Sequence, residues 1–156
     1  MHEFEEQRFN ALVKEEFWGN IMAKFFNVSS RELERAYRFH YKSYQALLAN
    51  ITEMNSSLLL LFYAAECGLK AVWCKRNKIA TTAQAGSKFE LFRHDLAAIL
   101  IDLRRGVPLT RTMEYKDGRI NLDKFHECWR YGGKIINEGI IQKELEIVCL
   151  WIGREL

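Results

Sequence analysis

The chain predicts an all-α protein: a single-domain up-and-down bundle of five or six helices, with a small hairpin or loop insertion near residues 107–120. Three observations carry this expectation. Only one proline, Pro108, interrupts the 156 residues. Apolar side chains recur at spacings of three and four along most of the chain, and the breaks between these stretches fall at helix-cap residues. Hydrophobic residues make up 49% and charged residues 28%, a globular balance that excludes a disordered polar chain. The length suits one domain with its own core. Neither a linker, a composition shift nor an internal repeat divides residues 1–156.

The elements run in order along the chain. Phe9, Leu12, Val13, Phe17, Ile21 and Phe25 place an amphipathic helix over about 3–26. Asn27-Val28-Ser29-Ser30 breaks it, and Ser29 with Glu32 reads as a capping box. A second helix over about 31–50 carries Leu33, Tyr37, Tyr41, Tyr44 and Leu48 as its buried stripe. A turn at 50–56 precedes a third helix, about 57–78, which is apolar nearly all round in its first half and so belongs at the bundle centre. Residues 79–90 read as a loop. A fourth helix begins near Leu91 or His94 and ends at Arg105, with Gly106 as its left-handed cap and Pro108 beyond. Asp117-Gly118, between short alternating arms at 113–120, signals a hairpin turn. Asn121 would cap a fifth helix of about 122–131, ended by Gly132-Gly133. The last helix, about 141–156, lines up Ile141, Leu145, Val148, Ile152 and Leu156.

Bulk chemistry narrows the classes. Cys67, Cys74, Cys128 and Cys149 lack paired C-x-x-C spacing, so reduced structural thiols are expected and neither a metal nor a cofactor is implied. The longest apolar run, Leu58 to Ala65, is less than half a membrane span. Met1–Glu6 is acidic and lacks a signal peptide's basic start and apolar centre. A soluble cytoplasmic protein without membrane contact is the expectation. Net charge is only +3, but Arg31, Arg35 and Arg38 share one helix, and Arg104, Arg105, Arg111 and Arg119 flank one connection. Solvated faces and helix-end charge explain both groups, and phosphate contact is the sharper alternative. Phosphate-loop, nucleophile-elbow and zinc-protease motifs are lacking, which removes the usual support for NTPase, hydrolase and metalloprotease readings.

One stretch is unusual. Glu66 and Lys70 share a helix face in a segment otherwise built for burial. Downstream come His94-Asp95-Leu96 opening a helix, Arg130-Tyr131 closing one, and Leu150-Trp151-Ile152 in the last. With Glu66, Lys70 and Ala71 as Glu-x-x-x-Lys-Ala, this order over about residues 31–156 resembles the HEPN family of small helical domains. Residues 1–28 fall outside the resemblance, as an extra N-terminal helix. The resemblance implies a homodimer that also engages a partner protein, with RNA or nucleotide as possible ligand, in a prokaryotic toxin–antitoxin or anti-phage system. It gives Glu66, Lys70, His94, Arg130 and Tyr131 as the binding surface. Arg130 would meet phosphate or a carboxylate, Tyr131 would stack, and His94 would hydrogen-bond.

Ribonucleases of that family carry an arginine, four to six residues, then a histidine near the start of a late helix, with two subunits forming one site. Metal-free RNA cleavage needs a base at the 2′-hydroxyl, a cation for the phosphorane and a proton for the leaving oxygen, needs that histidine and arginine meet. Arg35 and His40 satisfy the letters on an early helix, but their five-residue separation turns the side chains about 140° apart. At the late position, Arg130 is followed after six residues by Asn137, which takes up no proton at neutral pH. His94 and His126 are the substitutes, His126 sharing a helix face with Arg130. Among the tryptophans, Trp73 and Trp151 read as core, whereas Trp129 beside Arg130 and Tyr131 reads as a possible base-stacking group. The leading expectation is therefore a binding module without catalytic residues of its own. The alternatives are a metal-independent endoribonuclease drawing on Arg130, His126, His94, Arg35 and His40, and a purely structural adaptor.

Overall fold

The structure, a computed structural model, describes residues 27–49, 54–116 and 118–156. The helix expected over 3–26 lies outside them. Helix α1, Ser30–Leu47, starts on the expected capping box: Ser29 Oγ accepts from the Glu32 N–H at 3.1 Å, and Glu32 Oε2 accepts from the Ser29 N–H at 2.7 Å. Leu33, Tyr37 and Tyr44 are buried and Tyr41 half-buried, but Leu48 stands exposed past the helix end. Helix α2, Met54–Arg76, is buried almost all round from Ser57 to Cys74. Each fully buried leucine or phenylalanine there removes apolar surface worth roughly 1.5–3 kcal/mol.

By length and composition α2 also meets the requirement for crossing a membrane, although 72% of its apolar window is packed inside the protein. The longest apolar run understates this helix because Glu66 and Lys70 break the run in sequence yet neutralise each other in space. Its end is a Schellman motif: Ile79 N–H donates to Cys74 O and Lys78 N–H to Lys75 O, with Lys78 at φ 56°.

The expected loop at 79–90 instead contains two short helices, α3 Thr82–Ala85 and α4 Ser87–Phe92. Phe89 and Phe92, three apart, pack on Trp73 with ring centroids 5.4 and 5.8 Å away, and this docking holds a helical turn too brief to leave a periodic signal. Helix α5, Leu96–Asp102, is capped by Asp95, whose carboxylate accepts from Ala98 N–H at 3.1 Å. It too ends in a Schellman motif, but Arg104 (φ 52°), not Gly106, takes the left-handed position.

Strands β1 (Thr112–Tyr115) and β2 (Gly118–Asn121) form the expected hairpin, so the fold is mostly, not wholly, helical. Tyr115 pairs with Gly118. Lys116, which follows Tyr115, has φ 49°, and Asp117 of the expected Asp-Gly turn lies outside the described residues. Asn121 makes no side-chain cap to the next turn; its Oδ1 accepts from Thr112 Oγ1. A 3-10 turn, Leu122–Lys124, leads into α6, Phe125–Arg130, which closes at Gly132 (φ 77°). Helix α7, Glu138–Glu155, completes the chain and buries Ile141, Leu145, Val148 and Ile152.

Helices α1 and α2 run antiparallel, since Ser30 meets Ala80 and His40 meets Tyr63. Helix α7 runs parallel to α2: Asn55 donates to Gly133 O at one end, and Arg76 pairs with Glu155 at the other. Strict up-and-down order thus holds for the first pair only, because residues 77–137 carry the chain back along the bundle. Seven α-helices stand among the described residues, where five of the expected helices fall, the excess being α3 and α4. At the central crossing, a Cβ on Gly68 would lie 2.7 Å from Ile152 Cγ2 and 2.9 Å from Tyr37 Cδ2, so only glycine lets α1, α2 and α7 meet there.

Candidate functional site

Tyr63, Glu66 and Lys70 succeed one another at spacings of three and four, which puts them on one face of α2. Three other parts of the chain converge on that face. The turn between α4 and α5 brings His94, α6 brings His126 and Arg130 from successive turns, and α1 brings His40. The Glu66 carboxylate is shared: Oε1 accepts from Lys70 Nζ at 2.6 Å and Oε2 bonds His94 Nδ1 at 2.9 Å. The His94 ring lies 4.2 Å from that of His126, which rests nearly parallel on Phe62 at 5.3 Å. Tyr63 stands between the His126 and His40 rings, at 6.3 and 6.1 Å, and its hydroxyl accepts a hydrogen bond from Arg130.

The electrostatics arise from burial and pairing. The Glu66 side chain is 10% exposed. Burial works to raise its pKa, but the His94 hydrogen bond and the Lys70 charge outweigh burial and hold it below the ordinary carboxylate value. An ionised carboxylate only accepts, so the proton of this bond sits on His94 Nδ1, and Nε2 is the ring nitrogen left for other partners. The His94 side chain is 46% exposed. His126 is 2% exposed, with Nδ1 buried and unpartnered. Burial first, then the neighbouring His94 and Arg130 charges, push its pKa down and keep it neutral. His40 likewise has an unpartnered buried Nδ1 and a pKa lowered by burial.

The sequence candidates are thus partly reunited. Glu66, Lys70, His94, His126 and Arg130 form one cluster, with His40 at its edge. Arg35 is exposed on α1, where its charge acts on Glu32 and not on the cluster; the Arg35/His40 pairing therefore fails within one chain, as the helix geometry requires. Tyr131 is 80% exposed. Trp129 is no stacking surface: it is buried, and its indole N–H donates to Glu138 Oε2 at 3.2 Å. His126, which could be read from sequence as a surface residue, is core. Sequence reasoning missed Tyr63 and Phe62, although Tyr63 stands three residues before Glu66 and so shares its face.

No described group of histidine, cysteine and acidic side chains has metal-binding geometry. Among the four thiols, all free, Cys67 and Cys74 are pushed by burial to about 11 and Cys128 and Cys149 also upward, so none is a ready nucleophile. A shallow cleft of about 230 Å³ lies elsewhere, lined by Thr110, Met113, Glu114, Arg119, Asn137 and Ile140. It has no histidine, although Glu114 and Arg119, paired across the hairpin, both line it. Comparison of the chain with protein-family models, curated proteins and solved structures gives no match.

Proposed function

We propose that this chain is a HEPN-like helical module that binds RNA at the Glu66–His94–Arg130 cluster and cleaves it without a metal. One observation carries this reading: the largely buried Glu66 carboxylate fixes Nδ1 of a half-exposed His94 and leaves Nε2 for a ligand, on a helix face whose Tyr63 also takes a hydrogen bond from the exposed Arg130. In the proposed reaction His94 Nε2 takes the 2′-hydroxyl proton, and the 2′-oxygen attacks phosphorus. The 5′-oxygen leaves with the proton returned by the His94 imidazolium, giving a 2′,3′-cyclic phosphate and a 5′-hydroxyl end. Arg130, steadied by Tyr63, neutralises the phosphorane. Tyr131 stacks on a base, and Lys70 balances Glu66. The setting we infer is a cytoplasmic toxin–antitoxin or anti-phage system, with the chain as a homodimer beside a partner protein.

A second reading, a module that binds RNA or a partner protein without cutting, is favoured by a specific feature. The second imidazole, His126, is buried and held neutral, so it offers no charged imidazole to protonate the leaving oxygen. The two readings separate on a mixed RNA pool incubated with purified protein in EDTA, beside His94→Ala and Arg130→Ala. Cyclic-phosphate ends made by wild type and lost in both variants support cleavage. RNA retention without cleavage, weakened in Arg130→Ala, establishes the binding module instead. Neither retention nor cleavage overturns both.

A further inference from the structure

Arg93 stands in a backbone conformation that costs an L-residue energy. It has φ 44° and ψ −112°, and Asp95 N–H donates to Phe92 O at 2.8 Å across it. This is a type II′ turn with Arg93 at the position glycine normally fills. Seven residues earlier the chain makes a similar bend, φ 56° and ψ −134°, and there the residue is Gly86. A local rule kept at one bend and broken at the next points to what the side chain does. The Arg93 side chain is exposed and has no hydrogen bond or ion pair among the described residues. Its charge is felt only weakly at Lys124 in the 3-10 turn. Lys124 has Glu127 as a partner at 2.8 Å; Arg93 has none. The strained turn thus presents an exposed, unpaired cation one residue before His94, where an anionic ligand would meet it.

We propose that Arg93 is a phosphate-binding residue of the RNA site, gripping the backbone next to the phosphate that His94 and Arg130 address. This rests on the RNA reading given above. Arg93 touches a flanking phosphate and takes no part in proton transfer, so its loss weakens RNA capture and leaves the chemistry of bound RNA intact.

The test compares Arg93→Gly, Arg93→Gln and Arg130→Ala by thermal unfolding and by fluorescence anisotropy with a labelled single-stranded RNA across a salt series. Arg93→Gly removes strain and charge together, so its Tm should rise by about 2–4 °C while RNA affinity falls several-fold. The slope of log affinity against log salt should drop by about one phosphate contact. Arg93→Gln keeps the strain and loses the charge; it should weaken binding equally, with a smaller gain in Tm than Arg93→Gly. Unchanged affinity in both Arg93 variants, with Arg130→Ala weakened, overturns the Arg93 assignment alone. A lower Tm for Arg93→Gly overturns the strain argument. Wild type that binds no RNA overturns this assignment together with the function it deepens.

Discussion

A carboxylate that is nine-tenths buried persists as an ion only if its partners outweigh the loss of water, and Glu66 has two such partners. The arrangement predicts a separation of effects in Glu66→Gln. The amide no longer enforces the Nδ1–H tautomer of His94, so RNA cleavage should fall about 10²–10⁴-fold. Removal of a negative charge should leave RNA affinity unchanged or tighter. Single-turnover cleavage alongside equilibrium binding checks both. The histidines give a pH signature. His126 has a folded pKa below its ordinary 6.5, so the unfolded chain takes up a proton that the folded one refuses. Its contribution to stability is complete above about pH 6.5 and is lost as pH falls through the lowered folded value. Glu66, also lowered, from 4.5, contributes above that value and loses its part in a more acidic window. His126→Phe should stack on Phe62, remove the unpartnered Nδ1 and make the upper window shallower, leaving there the part that His40 contributes and leaving the acidic window unchanged. Urea midpoints measured between pH 7 and pH 4 would show it.

Among the elements, the bundle crossing at Gly68 is the tightest point. Gly68→Ala gains up to about 1 kcal/mol of helix propensity, but the new methyl would meet Ile152 and Tyr37 below 3.0 Å. Net destabilisation of about 1–3 kcal/mol is expected by urea titration. The opposite sign is expected where Lys78 and Arg104 hold left-handed cap positions: glycine at either should stabilise by about 0.5–1 kcal/mol. These same places show what the sequence made legible. The Ser29–Glu32 box, the α1 stripe and the buried face of α7 could be read because each is a local pattern repeated over several turns. Helices α3 and α4 could not, since Phe89 and Phe92 become helical only by docking on Trp73. The chain stop after α5 was legible, but its left-handed residue was not, because a Schellman motif can put any residue there at a cost. Glu66, His94 and Arg130 were each nameable from local motifs. Their meeting was not, as it depends on contacts spanning 28 and 67 residues, and no short-range pattern encodes those.

For the whole molecule, Ile140, Ile147 and Leu150 leave an exposed apolar strip on α7, and the proposed homodimer would cover it. Ile147→Lys should then shift sedimentation from dimer to monomer without lowering monomer stability; an unchanged mass would place the dimer contact elsewhere. The parallel course of α2 and α7 has a consequence for how the protein reaches this state. Antiparallel α1 and α2 are sequence neighbours and close a short loop, whereas α7 finds its place only after some sixty intervening residues have reversed the chain's direction. Closing that long loop costs entropy before its contacts form. The folding transition state should therefore contain the α1–α2 pair and lack most of α7. Leu33→Ala would then slow refolding, Leu145→Ala would mainly hasten unfolding, and the cluster at His94, which takes nothing from α7, would not have to wait for that last helix to dock.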